Sequence, residues 1–199
     1  TLYCGLGEFF GITIAAIIAI TVNSNIGEPD NFIKLIVVFA AAIISGIFEG
    51  TVTGFLQAKI LSRSFSINTK KWITLTASVA VLGWLAGTIP STIISSTQNI
   101  NDTTPPTLFQ MLIYAALLGL VAGTAFGFAQ WLELKHHVQK AKNWITANAI
   151  AWAFAMMIIF TAAALPDANT PVLLIILSGC ISGLLAGLTL GAITGYQLI

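Results

Sequence analysis

Six uninterrupted apolar runs decide what this chain folds into: Leu2 to Val22, Phe32 to Ile60, Trp72 to Ile94, Leu108 to Leu134, Trp144 to Leu165 and Val172 to Leu198. Each approaches or exceeds the roughly 20 predominantly apolar residues with which an α-helix crosses a hydrocarbon core of about 30 Å. Together they take up nearly all of the 199 residues. Charged residues make up only 8% of the chain, against about 25% in a soluble globular protein. The expected fold class is all-α and integral to a membrane, with six transmembrane helices in a single transmembrane domain over residues 1–199. The connections are too short for a soluble domain, a nucleotide-binding loop or a zinc-spaced cluster. No nucleic-acid partner, metal site or enzyme chemistry is expected, and the residues name no cofactor.

The net charge of +1 conceals an asymmetry. Lys59, Arg63, Lys70 and Lys71 surround one connection, and Lys135, Lys140 and Lys142 fill another; these are seven of the eight basic residues. The opposite connections carry Glu28 and Asp30, Asp102 and Asp167, with Lys34 the one basic residue nearby. By the positive-inside rule the basic connections and both termini are cytoplasmic. The expected location is a bacterial inner membrane or an equivalent internal one. Cys4 and Cys180 lie in apolar runs, where free cysteine behaves as a small hydrophobe, so neither a disulfide nor a metal site is expected. The first run lacks the basic flank of a cleavable signal peptide, and the chain starts at Thr1, so residues upstream of it are expected.

The sequence also repeats itself, which is the signature of an architecture built from stacked units. Gly46, Gly50, Gly54 and Gln57 recur 73 positions on as Gly119, Gly123, Gly127 and Gln130. "KKWIT" at 70–74 recurs as "KNWIT" at 142–146, and a third copy, "GLLAGLTLGAIT", occupies 183–194. Three helical hairpins follow, over 1–66, 67–138 and 139–199, each a plain odd-numbered helix and a glycine-laddered even-numbered one. A small residue at every fourth position lets a neighbouring backbone approach closely in lipid. Gly46, Gly50 and Gly54, Gly119, Gly123 and Gly127, and Gly183, Gly187 and Gly191 are therefore assigned to packing. The expectation is a pseudo-threefold bundle with the even-numbered helices clustered inside. A lesser pair, Gly83 and Gly87, precedes Pro90, which is expected to close the third helix.

"GTAFGFAQWLEL" at 123–134, followed by a basic loop and a helix beginning at Trp144, resembles a pattern in small bacterial polytopic membrane proteins with repeated GxxxGxxQW elements. Residues 46–72 repeat it with Ala58 in place of the Trp, and the third copy lacks both Gln and Trp. The resemblance covers about two thirds of the chain and implies no particular activity. In size and helix count alone the chain is also similar to the substrate-binding components of energy-coupling-factor vitamin transporters.

Ionisable side chains inside a bilayer cost roughly 2.5–3.5 kcal/mol even on the lenient insertion scale, so each is a functional hypothesis. The candidates are Glu8 and Glu49. Counted along their helices from the shared connection "NSNIGEPDN", both sit roughly 20–25 Å below the outer boundary at 1.5 Å per residue. Two carboxylates at one level in low dielectric do not both stay ionised. They share a proton, hold a cation, or leave one neutral acid bonded to a hydroxyl. Ser45, Thr53 and Asn148 are candidate members of this site, with Thr76, Ser78 and Thr124 at similar depth. The site is asymmetric, since Ala122 and Ala186 replace Glu49 in the other copies.

Plainer roles compete with these. Glu8 lies near a helix start, where the dipole favours a carboxylate, and Glu49 can act as packing glue between helices. Gln57 and Gln130 are placed at the cytoplasmic boundary, capping carbonyls or meeting headgroup water. Trp72, Trp131 and Trp144 are read as interface anchors, and the deeper Trp84 and Trp152 as lipid or helix contacts. His136 and His137 are adjacent and point in different directions on a helix.

Two functions are weighed. One is transport or binding of a small solute or cation within the bilayer through the carboxylate pair, since transporter folds often place sites at repeat interfaces. The other is a non-catalytic structural or assembly subunit, docking on other membrane subunits of a larger complex through its glycine-rich faces. A lipid-directed intramembrane enzyme lacks a nucleophile and base at credible spacing. Besides any such subunits, the lipid bilayer is the expected partner.

Overall fold

A computed structural model describes residues 1–97, 106–167 and 169–197, without the side chains of 90–97. It consists of six long helices: α1 Leu2–Ile26, α2 Phe32–Leu61, α3 Thr69–Thr97, α4 Leu108–Leu134, α5 Asn143–Ala164 and α6 Val172–Tyr196. All six are long and apolar enough to cross a membrane, the length and composition expected of an integral membrane protein. Local chemistry sets several of their ends. Asn31 caps α2 by accepting the Lys34 N–H at 3.0 Å. Thr107 and Gln110 form a capping box at the start of α4, and Gly27, with φ of 60°, follows the last residue of α1. Pro90 does not close α3, which continues to Thr97. A proline removes one backbone bond and strains the turn before it, and here the helix absorbs this.

The six helices form a closed ring in which each touches its two neighbours in sequence and α6 returns to α1. Among the described residues no two even-numbered helices approach closely along their backbones, although the Gln57 and Gln130 side chains meet between α2 and α4. The expected inner cluster of even helices is therefore replaced by a ring of alternating helices. The cause lies in what the glycine ladders meet. On α2, a Cβ on Gly46 would lie 2.6 Å from Val81 Cα, and one on Gly50 2.5 Å from Ala77 Cα, with Gly54 against Ile73; all three partners belong to α3. On α4, Gly119, Gly123 and Gly127 meet Ala153, Ala149 and Ile145 of α5 in the same descending register. On α6, Gly183, Gly187 and Gly191 meet Glu8, Cys4 and Thr1. Each ladder is thus occupied by the antiparallel odd-numbered helix beside it, where close backbone approach gains van der Waals contact. The tight spatial pairs are α2/α3, α4/α5 and α6/α1, which straddle the boundaries of the sequence repeats.

Polarity is distributed as a bilayer demands. Large apolar side chains such as Phe32, Phe109, Val121 and Leu173 are exposed, while much of the buried apolar surface is alanine and the buried polar residues include Glu8, Glu49, Gln130 and Asn148. The end of the ring that bears the basic connections holds a cluster of Ala58, Leu61, Ile67, Trp72, Leu134, Ala141 and Trp144. Trp72 and Trp144 are buried there with ring centroids 6.0 Å apart, so they are not lipid-facing anchors. Their indole N–H groups need acceptors once buried, and the two glutamines supply them. Trp72 donates to Gln57 Oε1 at 3.2 Å and Trp144 to Gln130 Oε1 at 2.9 Å. Gln130 Nε2 in turn donates to Gln57 Oε1 at 3.0 Å and Thr76 Oγ1 at 3.1 Å. The glutamines therefore join four helices instead of capping carbonyls at the boundary. Trp131 stays half-buried, with Lys135 Nζ 4.9 Å from its ring centroid.

Candidate functional site

Glu8 on α1 and Glu49 on α2 are brought together by two glycines. A Cβ on Gly11 would lie 2.6 Å from Glu49 Cγ, and one on Gly7 2.8 Å from Thr53 Oγ1. Only side-chain-free positions on α1 admit these residues of α2 so close to its axis. The two carboxyl groups are close electrostatic neighbours, both buried, at 1% and 5% exposure. Thr53 Oγ1 donates to Glu8 Oε1 at 3.3 Å and Trp84 Nε1 donates to Glu49 Oε2 at 2.6 Å.

One atom lacks a donor. Glu8 Oε2 is buried with no hydrogen-bond partner among the described residues when both acids are written as carboxylates. An orphaned charged oxygen in this environment is costly, and a single proton between the two acids removes the deficit. Both neighbouring donors, an indole and a hydroxyl, are neutral. All eight Lys and Arg residues lie in connections or in helix-end turns, and no salt bridge to Glu8 or Glu49 occurs among the described residues.

Two cavities flank the pair. One, of about 310 Å³, has Glu49, Trp84, Gly83, Gly87, Phe126 and Trp152 in its wall. The other, of about 320 Å³, runs in from the end bearing the acidic connections, past Asn23 and Glu28, to Ser45 and Trp84. Trp84 and Thr88 line both, and the Trp84 indole bridges from this partition to Glu49.

Of the predicted members, Glu8, Glu49 and Thr53 form one cluster, and Ser45 lines the second cavity one turn from Glu49. Asn148 lies elsewhere: its amide donates to Trp144 O at 2.9 Å, against Gly123 and Gly127 in the α4/α5 contact. Thr76 belongs to the glutamine network, and Ser78 and Thr124 are exposed. Among the described residues no group of three or more His, Cys, Asp and Glu comes together.

Sequence reasoning missed Trp84 as a partner of the site, although Glu49 and Trp84 sit on facing helices of one ladder pair. It also missed Glu133. That carboxylate, 6% exposed, accepts the Asn68 N–H at 2.7 Å and pairs with Lys71 Nζ at 2.9 Å, fastening α4 to the start of α3. Comparison of the chain with family models, with curated proteins and with solved structures returns no match.

Proposed function

We propose that this protein binds and transports a small solute or cation within the bilayer, with Glu8 and Glu49 as the group that gives up and takes back a proton as the solute comes and goes. The observation that carries this is the cavity of about 310 Å³ that has Glu49 in its wall. A carboxylate kept only for packing would sit between helices with no open space beside it. Trp84, shared by both cavities, then stands between the solute and the acidic end of the ring. The charge asymmetry of the connections supports that end lying outside and the termini in the cytoplasm, in a bacterial inner membrane or its equivalent. The three equivalent ladder contacts support an internal repeat of threefold character, in which Glu49 is the specialised position.

An assembly subunit would need bare glycine faces for docking. The nine ladder glycines instead meet neighbouring helices of the same chain, which favours transport. In proteoliposomes screened with small amines and monovalent cations, uptake driven by a proton gradient is expected, with Glu49→Gln abolishing it. Uptake unchanged by that substitution removes Glu49 from the function.

A further inference from the structure

We propose that the solute held beside Glu49 is a lipophilic monocation, an ammonium or phosphonium with an aromatic or alkyl body, and that it enters from the bilayer through the seam between α3 and α4. This names the substrate class of the site above and rests on that reading of the carboxyl pair.

The seam comes first. Among the described residues, α3 and α4 are the least closely packed neighbours in the ring. They are joined at the basic end, where Gln130 meets Thr76 and Glu133 meets Asn68 and Lys71. Further along α3, a Cβ on Gly83 or Gly87 would meet nothing within 4 Å. Both glycines are exposed, yet both line the cavity with Leu118 and Ala122 of α4. Gly83 lies roughly 21 Å along the axis from Thr69 at 1.5 Å per residue, inside a hydrocarbon core of about 30 Å. A molecule passing between these helices at that height comes from lipid.

The lining gives the chemistry. Phe126 and Trp152 stack with centroids 4.8 Å apart, and Met156, Ile159 and Phe160 complete an apolar, aromatic wall. Such a wall holds an apolar body, and aromatic faces attract a cation placed over them. Calcium and magnesium take about six to eight oxygen ligands. Here the side-chain oxygens in the wall are those of Glu49 and Thr88 alone, too few for such an ion.

Charge selects the sign. With its shared proton gone, the carboxyl pair has no basic residue near it to replace that charge. A bound monocation replaces it one for one, so binding releases one proton to the medium. Release of the cation takes that proton back.

The test uses the full chain in lipid nanodiscs with 4-butyl-phenyltrimethylammonium as probe, its neutral isostere 1-butyl-4-tert-butylbenzene, and tetramethylammonium. Equilibrium dialysis is expected to show saturable binding of the aromatic cation with release of about one proton, weakened tenfold or more by Glu49→Gln and by Gly83→Leu; tenfold corresponds to about 1.4 kcal/mol. The neutral isostere is expected to be indifferent to Glu49→Gln. Gly87→Leu serves as a second block, and monodisperse elution with unchanged circular dichroism shows that each variant folds. Association rates are expected to rise with the length of the probe's alkyl chain in proportion to its partition into the bilayer.

Equal binding of the aromatic cation by wild type and Gly83→Leu overturns the site. Equal affinity for tetramethylammonium overturns the lipophilic class, and rates that follow aqueous concentration overturn lateral entry. An infrared band of a protonated carboxyl that is present in wild type and altered by Glu49→Gln, but unmoved by the probe, refutes the substrate class and leaves the carboxyl pair standing. A band absent from wild type refutes the reading of the pair itself.

Discussion

Replacing Gln130 by leucine keeps the volume of the side chain and removes its polar end, which isolates what the amide contributes. Gln130 is 1% exposed. It makes three side-chain bonds: to Gln57 Oε1, to Thr76 Oγ1, and from Trp144 Nε1. Hydrogen bonds between helices in a membrane average about 0.6 kcal/mol and reach about 1.7, so three of average strength amount to about 2 kcal/mol. The Trp144 N–H is then left buried without its acceptor, which adds about 1 kcal/mol. Gln57 Oε1 keeps Trp72 as a donor, so no further orphan arises on α2. The expected loss for Gln130→Leu is about 2–3 kcal/mol by these same increments, read from reversible unfolding in mixed micelles by circular dichroism. A double-mutant cycle with Trp144→Phe is expected to return a coupling of about 0.6–1.7 kcal/mol. A total loss under about 0.5 kcal/mol, smaller than one average bond, or a coupling of zero, would show that the amide network does not hold the basic end together.

In the same assay, Gly50→Ala is expected to cost about 1–3 kcal/mol, because its Cβ would fall 2.5 Å from Ala77 Cα and the backbones have to part. Gly195→Ala, with open space around it, is expected to be neutral or to stabilise by up to about 1 kcal/mol through helix propensity; equal effects at the two positions would sink the ladder argument. In the connection between α5 and α6, the Thr170 hydroxyl, first, and the Asn169 N–H hold the Asp167 carboxyl below the usual carboxylate range. Because the folded value lies below that of the unfolded chain, the order this group confers is complete above the unfolded value and is lost as pH falls through the folded one. Amide protection at Asn169 and Thr170 is expected to drop on acidification in wild type, and a drop of the same size in Asp167→Asn would count against it.

The helices were legible because hydropathy in a membrane protein is nearly a direct record of depth. The level of Glu8 with Glu49 followed from counting residues to a shared connection, and the two acids are close neighbours in the structure. What counting could not supply was rotation about the helix axes. A glycine ladder states that something approaches closely without saying which helix, and the ladders took odd-numbered helices instead of each other. The same gap misassigned Trp72 and Trp144, whose height fits an anchor but whose rotation turns them inward. A signal for the correct assignment existed: Gln57 precedes Trp72 by 15 positions and Gln130 precedes Trp144 by 14, a spacing that brings each pair to one level across a tight antiparallel connection. Asn148 failed for a related reason, since a side chain at the right depth can still satisfy itself on its own helix.

The closure of the ring by α6 against α1 bears on how the protein is made. Two of the three ladder pairs, α2/α3 and α4/α5, join segments that leave the ribosome one after the other, so each can zip up soon after insertion. The third joins the first helix to the last, as in the bond from Thr1 Oγ1 to Gly191 O across 190 residues. Until α6 is synthesised, the strip of α1 around Cys4 and Glu8 that Gly183 and Gly187 later cover faces lipid or an insertion chaperone. The acid at the heart of the site therefore belongs to the helix that waits longest for its ladder partner, and a ribosome stalled before α6 leaves that face of α1 uncovered.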